Sequence, residues 1–218
     1  MQKQRARNEE DKAKRKQSIV DALHERLKES QSMPSAQDIA KRAGVTKGVI
    51  YIYFKTREEI FLTLFLQEAE CFYEELYPLV LSDEYGIQTL RDGITEFCHS
   101  HPVFMYLGLI APSVLEHNVS EDFIRSFKTT AAEGLQQFAT AWQKRESTVD
   151  VDNLRNFVLR IFYLGQILWQ HHNPPPAVLS AVDIETNWLL QGNFKDSMSE
   201  SFDWMWAGLS SVGSPAPS

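Results

Sequence analysis

The sequence predicts an all-α protein, a three-helix N-terminal unit continuous with a larger helical body, and three observations carry that prediction. Apolar residues recur at spacings of three and four along most of the chain, as helices with one buried face require. No stretch shows the long apolar–polar alternation of a strand, and there is no internal repeat or low-complexity tract before the terminal Ser-Pro-Ala-Pro-Ser. The breaks in the pattern carry helix punctuation, with serine, threonine or aspartate before a stripe and glycine or proline after it.

Residues 1–11 are densely charged and are expected to form a frayed tail. A first helix is predicted from about Lys12 to Glu29, with Ile19, Val20, Leu23 and Leu27 on its apolar side. After Met33-Pro34, Ser35 caps a second helix, with Asp38 as its capping-box partner. Ile39, Ala40 and Ala43 face inward, and Gly44 ends the helix where a left-handed residue is wanted. Val45 fills the corner and Thr46 caps a third helix, whose inward face is Val49, Ile50 and Tyr53. Ala40 and Gly44 are small where the two helices nearly touch. Residues 35–54 therefore read as a helix-turn-helix, whose second helix enters the DNA major groove.

A small-residue corner also occurs in ordinary helical bundles, and three features separate this one from them. Gly48 lies inside the third helix, where glycine costs about 1 kcal/mol relative to alanine, so the missing side chain must serve something else. Lys47, Tyr51, Lys55 and Arg57 surround it with donors. Thr56 and Glu59 make a further capping box, which sets the positive end of the next helix beside the same surface.

The run DIAKRAGVTKGVIYIYFKTREEI resembles the DNA-binding domain of the TetR family of bacterial repressors. That family's pattern is met by Ile39-Ala40, Ala43-Gly44-Val45, Thr46, Gly48, Tyr51-x-Tyr53-Phe54 and Arg57-Glu58-Glu59-Ile60. The sequence departs from it after the first helix, where Ser30-Gln31-Ser32-Met33-Pro34 replaces the usual glycine and aromatic residue. The resemblance implies a DNA-binding set of Ser35, Thr46, Lys47, Gly48, Tyr51, Tyr53, Lys55 and Arg57. Within it, Thr46, Tyr53, Lys55 and Arg57 are expected to hold phosphates, and Lys47 and Tyr51 to lie nearer base edges. It also implies a homodimer on a palindromic operator, with a C-terminal ligand-binding and dimerisation domain. The expected division is 12–72 for the DNA-binding domain and 73–211 for the body, with tails at 1–11 and 212–218.

The helix opening at Thr56 runs without glycine or proline to Tyr77, before Pro78, a rod of roughly 30 Å with no flexible linker. Further helices are expected over Ile87–Cys98, from Pro102, from Ser120 to about Arg145, over 150–172, around Val178–Leu190 and over Phe194–Ser211. In the 150–172 helix, Leu154, Val158, Ile161, Gly165 and Leu168 make one stripe, and Leu159, Phe162, Gln166 and Trp169 make a second. Phe194, Met198, Phe202, Met205 and Leu209 make the stripe of the last helix. The first of these stripes and the last suit a four-helix interface between two chains, and their residues are the dimer candidates. A purely intrachain core is the alternative.

Aromatics at helical spacing are mostly plain core, but Gln166 on a buried stripe is an amide that must find a partner. An apolar pocket with a few placed polar groups is how small-molecule sites look. Phe104, Phe127, Trp142, Phe162, Tyr163, Gln166 and Trp169 are accordingly the ligand-pocket candidates for an unidentified effector. The alternative is a regulator of the same fold controlled by a protein partner, or one with no effector.

Charge supports the division into head and body. The chain of 218 residues carries −7 overall, yet residues 1–60 hold 14 Lys+Arg against 9 Asp+Glu, and the remainder holds the excess of acid. Cys71 and Cys98 are too few for a disulfide framework and fit free thiols in a reducing cytoplasm. No secretory signal is expected at the N-terminus, and no apolar run approaches the ~20 residues that span a bilayer. Phosphate-loop, dinucleotide, zinc-protease and nucleophile-elbow motifs are missing, so neither an enzyme nor a cofactor is expected. Cys98-His99-x-His101 holds metal-ligand residue types, but neighbours this close diverge on a helix end, and no metal site is expected. His171-His172 reads as a favourable helix end.

Overall fold

The computed structural model describes residues 2–30, 32–183 and 187–212, with helices and no strand among them. In chain order the helices are α1 (Gln2–Glu29), α2 (Ala36–Arg42), α3 (Lys47–Tyr53), α4 (Arg57–Leu81) and α5 (Ile87–Ser100). They continue as α6 (Pro102–Ile110), α7 (Glu121–Gln143), α8 (Val151–His172), α9 (Pro176–Ala181) and α10 (Phe194–Val212).

Several elements depart from expectation for identifiable reasons. α1 begins at Gln2 rather than Lys12, because the charged N-terminal residues are good helix formers and add pairs such as Lys14–Glu10 at 2.7 Å. α4 does not stop before Pro78 but runs through it to Leu81. Leu76 and Val80 are buried on either side of that proline, and Arg145 donates to the carbonyls of Val80 (3.0 Å) and Leu81 (2.7 Å) at the helix end. The helix expected over Val178–Leu190 is instead the short α9 and a separate 3-10 turn at Trp188–Leu190. Residues 184–186, and the tail beyond Val212, lie outside the described residues.

The interior forms two apolar clusters. One joins α1, α2, α3 and the first half of α4, through Ile19, Leu23, Ile39, Ile50 and Phe61, to Val103, Leu107 and Ala111 beyond them. The other fills the body with Phe72, Phe97, Phe104, Phe138, Trp142, Phe157, Met198 and Phe202. Phe65 and Tyr106 pack against both. The clusters are thus joined along α4 and α6. Glu68, buried on α4, pairs with His24 of α1 at 3.2 Å, and burial raises its carboxyl above the usual range.

The stripes expected at a dimer interface lie inside the protomer. Leu154, Val158, Ile161 and Gly165 on α8 are buried, as are Phe194, Met198 and Phe202 on α10. Gly165 lies against the Met198 side chain, with a Cβ there 3.0 Å from its terminal methyl. Leu168, Met205 and Leu209 are half-buried on the same cluster. Leu154, Val158, Ile161, Gly165, Phe194, Met198 and Phe202 are thus covered within one chain, while Leu168, Met205 and Leu209 keep part of their surface open. The surface of α8 left to solvent carries Leu159, Tyr163 and Ile167, and that of α10 carries Trp204.

Candidate DNA-binding face and ligand site

The helix-turn-helix forms by local chemistry. Ser35 Oγ accepts the Asp38 backbone N–H (3.2 Å), and the Asp38 carboxylate accepts the Ser35 N–H (3.0 Å), completing the capping box. The Ser35 hydroxyl also donates to that carboxylate (2.6 Å), and these bonds hold Asp38 below the usual carboxylate range. Gly44 turns the corner at φ +65°, which side-chain-bearing residues rarely adopt. α3 then packs through Ile50, which is fully buried, and turns Thr46, Lys47, Gly48 and Tyr51 outward.

Thr46 occupies the N-cap of α3 but makes no side-chain cap hydrogen bond, so its hydroxyl stays on the surface. A Cβ on Gly48 would meet nothing closer than Thr46 Oγ1 at 3.8 Å. Nothing inside the protein therefore requires this glycine. The Lys47 ammonium lies over the Tyr51 ring at 5.9 Å, so the cation and the ring share one patch.

α4 begins beside that patch. Thr56 Oγ1 accepts the Glu59 N–H (3.3 Å), but the Glu59 carboxylate reaches back to the Lys55 N–H (2.7 Å) instead of closing a box on Thr56. The amide of Lys55 is thereby fixed, while its ammonium group lies on an exposed residue. Tyr53 is half-buried. Arg57 is half-buried as well, with its guanidinium on the Glu58 carboxylate (2.8 Å) and the Pro34 carbonyl (3.5 Å). The eight DNA-site residues fall within three consecutive elements, α2 to the start of α4, and Arg57 is the one already held by an acid.

The seven pocket candidates do not line one cavity. Phe127 belongs to the N-terminal cluster, whereas Trp142 is enclosed at the far end of the body, donating its indole N–H to Tyr85 Oη at 2.8 Å. Phe104 and Phe162 are locked among rings, each meeting Phe72 and the other. Tyr163 is 55% exposed and points away from any interior site. Helical spacing places a residue on a face, but which neighbour covers that face is a tertiary matter, and here the answers differ.

Gln166 is buried with its amide against Gly108 of α6, where any Cβ would collide with it. Trp169 is 5% exposed and lines a half-open cavity of about 560 Å³ between the ends of α5 and α8 and the starts of α6 and α10. That cavity also includes His99, His171 and His172, which sequence reasoning set aside. Only their recurrence near helix ends could have pointed to it. Among the described residues no three metal-ligating side chains converge, and no helix is long and apolar enough to cross a membrane.

A helix-turn-helix with its second helix exposed, built on an all-helical body, defines a DNA-binding transcriptional regulator. Comparison with known proteins specifies which kind. Residues 34–64 match the family model for bacterial regulatory proteins of the tetR family, and residues 75–213 match that for the tetracyclin repressor-like C-terminal domain. The chain belongs to the TetR family of transcriptional regulators. It is 37% identical over 181 residues to the fatty acid metabolism regulator protein of Bacillus subtilis (strain 168), covering 67% of this chain and 93% of that protein. The fold is shared with the TetR family repressor AlkX from Dietzia sp. strain DQ12-45-1b, implicated in biodegradation of n-alkanes, at a TM-score of 0.54 and 19% identity. That match covers 91% of this chain and 97% of the other. It is shared also with the fatty acid degradation regulator FadR from Bacillus halodurans, at a TM-score of 0.55 and 13% identity over 87% of this chain and 93% of the other.

Proposed function

We propose that this regulator is a homodimeric repressor that binds a palindromic operator and is released from it by a fatty-acyl compound. The observation that carries the DNA-binding part is the outward face of α3, where Thr46, Lys47, Gly48 and Tyr51 are exposed beside Lys55. In this reading Lys47 and Tyr51 approach base edges, Thr46, Tyr53 and Lys55 hold phosphates, and Ser35 sets the start of α2 against the backbone. Arg57 joins the phosphate contacts by leaving Glu58. The bare Gly48 lets a phosphate approach α3 closely.

The dimer uses the outer faces of α8 and α10. Leu159, Tyr163 and Ile167 repeat every four residues along α8, and Trp204 stands exposed on α10 at 67%. Large apolar side chains in such a row favour burial against a second copy.

The ligand class follows from the relative that regulates fatty acid metabolism and from the apolar, aromatic interior of the body. The packed rings of Phe72, Phe104 and Phe162 leave no ready-made slot, so the compound enters by rearranging α6 against α8. The amide of Gln166, which lies against Gly108 at that contact, is its polar anchor.

Selecting tight-binding duplexes from a randomised library on the purified protein tests the reading. An inverted repeat with half-sites separated by about one DNA turn, ~34 Å, is expected, and fatty acids or fatty-acyl thioesters of graded chain length should release it. Recovery of sequences with no inverted repeat would overturn the dimeric reading. Release by none of the compounds would favour control by a protein partner, which the tightly packed core also accommodates.

A further inference from the structure

Ile52 is an apolar side chain set among the polar groups on the outward face of α3. It is 75% exposed, against 58% for Ile167 on the outer face of α8, and it belongs to neither apolar cluster. Single exposed apolar residues are ordinary on protein surfaces, so the place of this one decides what it means. α3 packs on the head through Ile50, which is fully buried. The helical repeat sets Gly48 and Ile52, one turn apart, on the side opposite Ile50. Only Thr46 Oγ1 comes within 4 Å of a Cβ at Gly48, so the Ile52 side chain does not fold back over that bare turn. The outermost line of α3 therefore carries one side chain, and that side chain is isoleucine.

Local structure does not ask for it. A β-branched residue is a poorer helix former than alanine or leucine, and here it gains little burial in the free protein. Its surroundings point to a nucleic-acid groove. The Lys47 ammonium lies over the Tyr51 ring at 5.9 Å, Thr46 and Lys55 are exposed nearby, and α3 holds no acidic residue. In the major groove, among the four bases, thymine alone presents an apolar group, its C5-methyl.

We propose that Ile52 is a specificity-determining residue that reads one thymine of the operator half-site through its C5-methyl group. This rests on the reading of α3 as the helix that enters the major groove, and it adds to Lys47 and Tyr51 a contact without a hydrogen bond. The feature recognised is then the methyl group and not the pairing edge of the base.

Selection from a randomised duplex library, run in parallel on the wild-type protein and on Ile52→Ala, finds the position. Wild type should recover a site with one position per half-site fixed as thymine that the variant leaves free, with the other positions shared. Each thymine of the site is then replaced in turn by deoxyuridine, which lacks only the methyl group. At the Ile52 position this should weaken wild type about fourfold per base replaced, the worth of one buried methyl group, and leave Ile52→Ala unchanged. 5-Methylcytosine at that position should bind wild type more tightly than cytosine, and the difference should vanish in the variant. The salt dependence of affinity should be the same in both proteins, because no phosphate contact is removed. Ile52→Ala should melt no lower than wild type, since the residue is exposed and alanine is the better helix former. Equal affinity of wild type for thymine and uracil at every position would overturn the proposal, as would a uracil effect undiminished in Ile52→Ala. One site recovered by both proteins would remove Ile52 from base reading and leave the repressor reading standing. Recovery of no defined site by wild type would overturn both.

Discussion

Gly48 separates stability from function at a single position. Its Cα faces open space on an exposed helix, and a methyl group there would touch only Thr46 Oγ1 at 3.8 Å. Gly48→Ala should therefore stabilise the free protein by about 0.5–1 kcal/mol, because alanine is the better helix former. In the proposed DNA-bound state the same methyl group would stand in the way of an approaching phosphate, so operator affinity should fall. Melting curves and anisotropy titrations on the selected operator read the two effects, and a variant that melts higher while binding normally would leave the glycine without a role in DNA binding. Features of this range were the most legible in the sequence, because Ser35, Asp38 and Gly44 act through atoms three or four residues away. Where a contact depended on the finer path of the chain, the reading failed. Glu59 reaches the Lys55 amide rather than that of Thr56, and nothing in the residue spacing distinguishes those two donors.

At the scale of an element, α8 shows what periodicity contains and what it omits. Three and four residue spacings located the helix and its apolar stripes, but two different partners were available to cover them. The Leu154–Val158–Ile161 stripe is covered by its own chain, while Leu159, Tyr163 and Ile167 remain outside. α4 carries a similar lesson. Its Pro78 read as a stop, yet buried neighbours and the Arg145 cap hold the last turn, because packing outweighs a local preference. The assignment of the outer face leads to a test by charge. Ile167 is 58% exposed, so Ile167→Glu should leave the protomer folded with its helical signal intact. Buried against its own symmetry mate the new carboxylates would be desolvated, and sedimentation should show a shift from dimer to monomer. A variant that stays dimeric would move the interface off this face. Operator binding should weaken with dimer loss, since each half-site then meets a separate protomer.

The whole molecule is organised around two helices that belong to both ends. α4, about 37 Å long at 1.5 Å per residue, starts beside the recognition helix and ends under Arg145. α6 starts at the cavity of the body and packs through Leu107 into the core of the DNA-binding head. Phe65 on α4 and Tyr106 on α6 touch both apolar clusters, so the head cannot tilt without the body repacking around them. A compound that separates α6 from α8 must therefore change the angle of the head, and two half-sites of fixed separation do not tolerate that change. Under the proposed release mechanism this coupling is reciprocal: the factor by which a ligand lowers operator affinity equals the factor by which operator lowers ligand affinity. Phe65→Ala removes the ring that meets Phe104 at 5.4 Å and Phe127 at 6.2 Å, loosening the joint without touching the DNA face or Gln166. Its cost in stability should be about 2–4 kcal/mol, near the low end for a buried phenylalanine because Phe65 is only partly buried. Titrating ligand with and without operator in both proteins gives the two coupling factors. The variant should keep both affinities measured alone, yet show a factor several-fold closer to one. An undiminished factor in Phe65→Ala would mean that the signal reaches the head by another route than the α4–α6 joint.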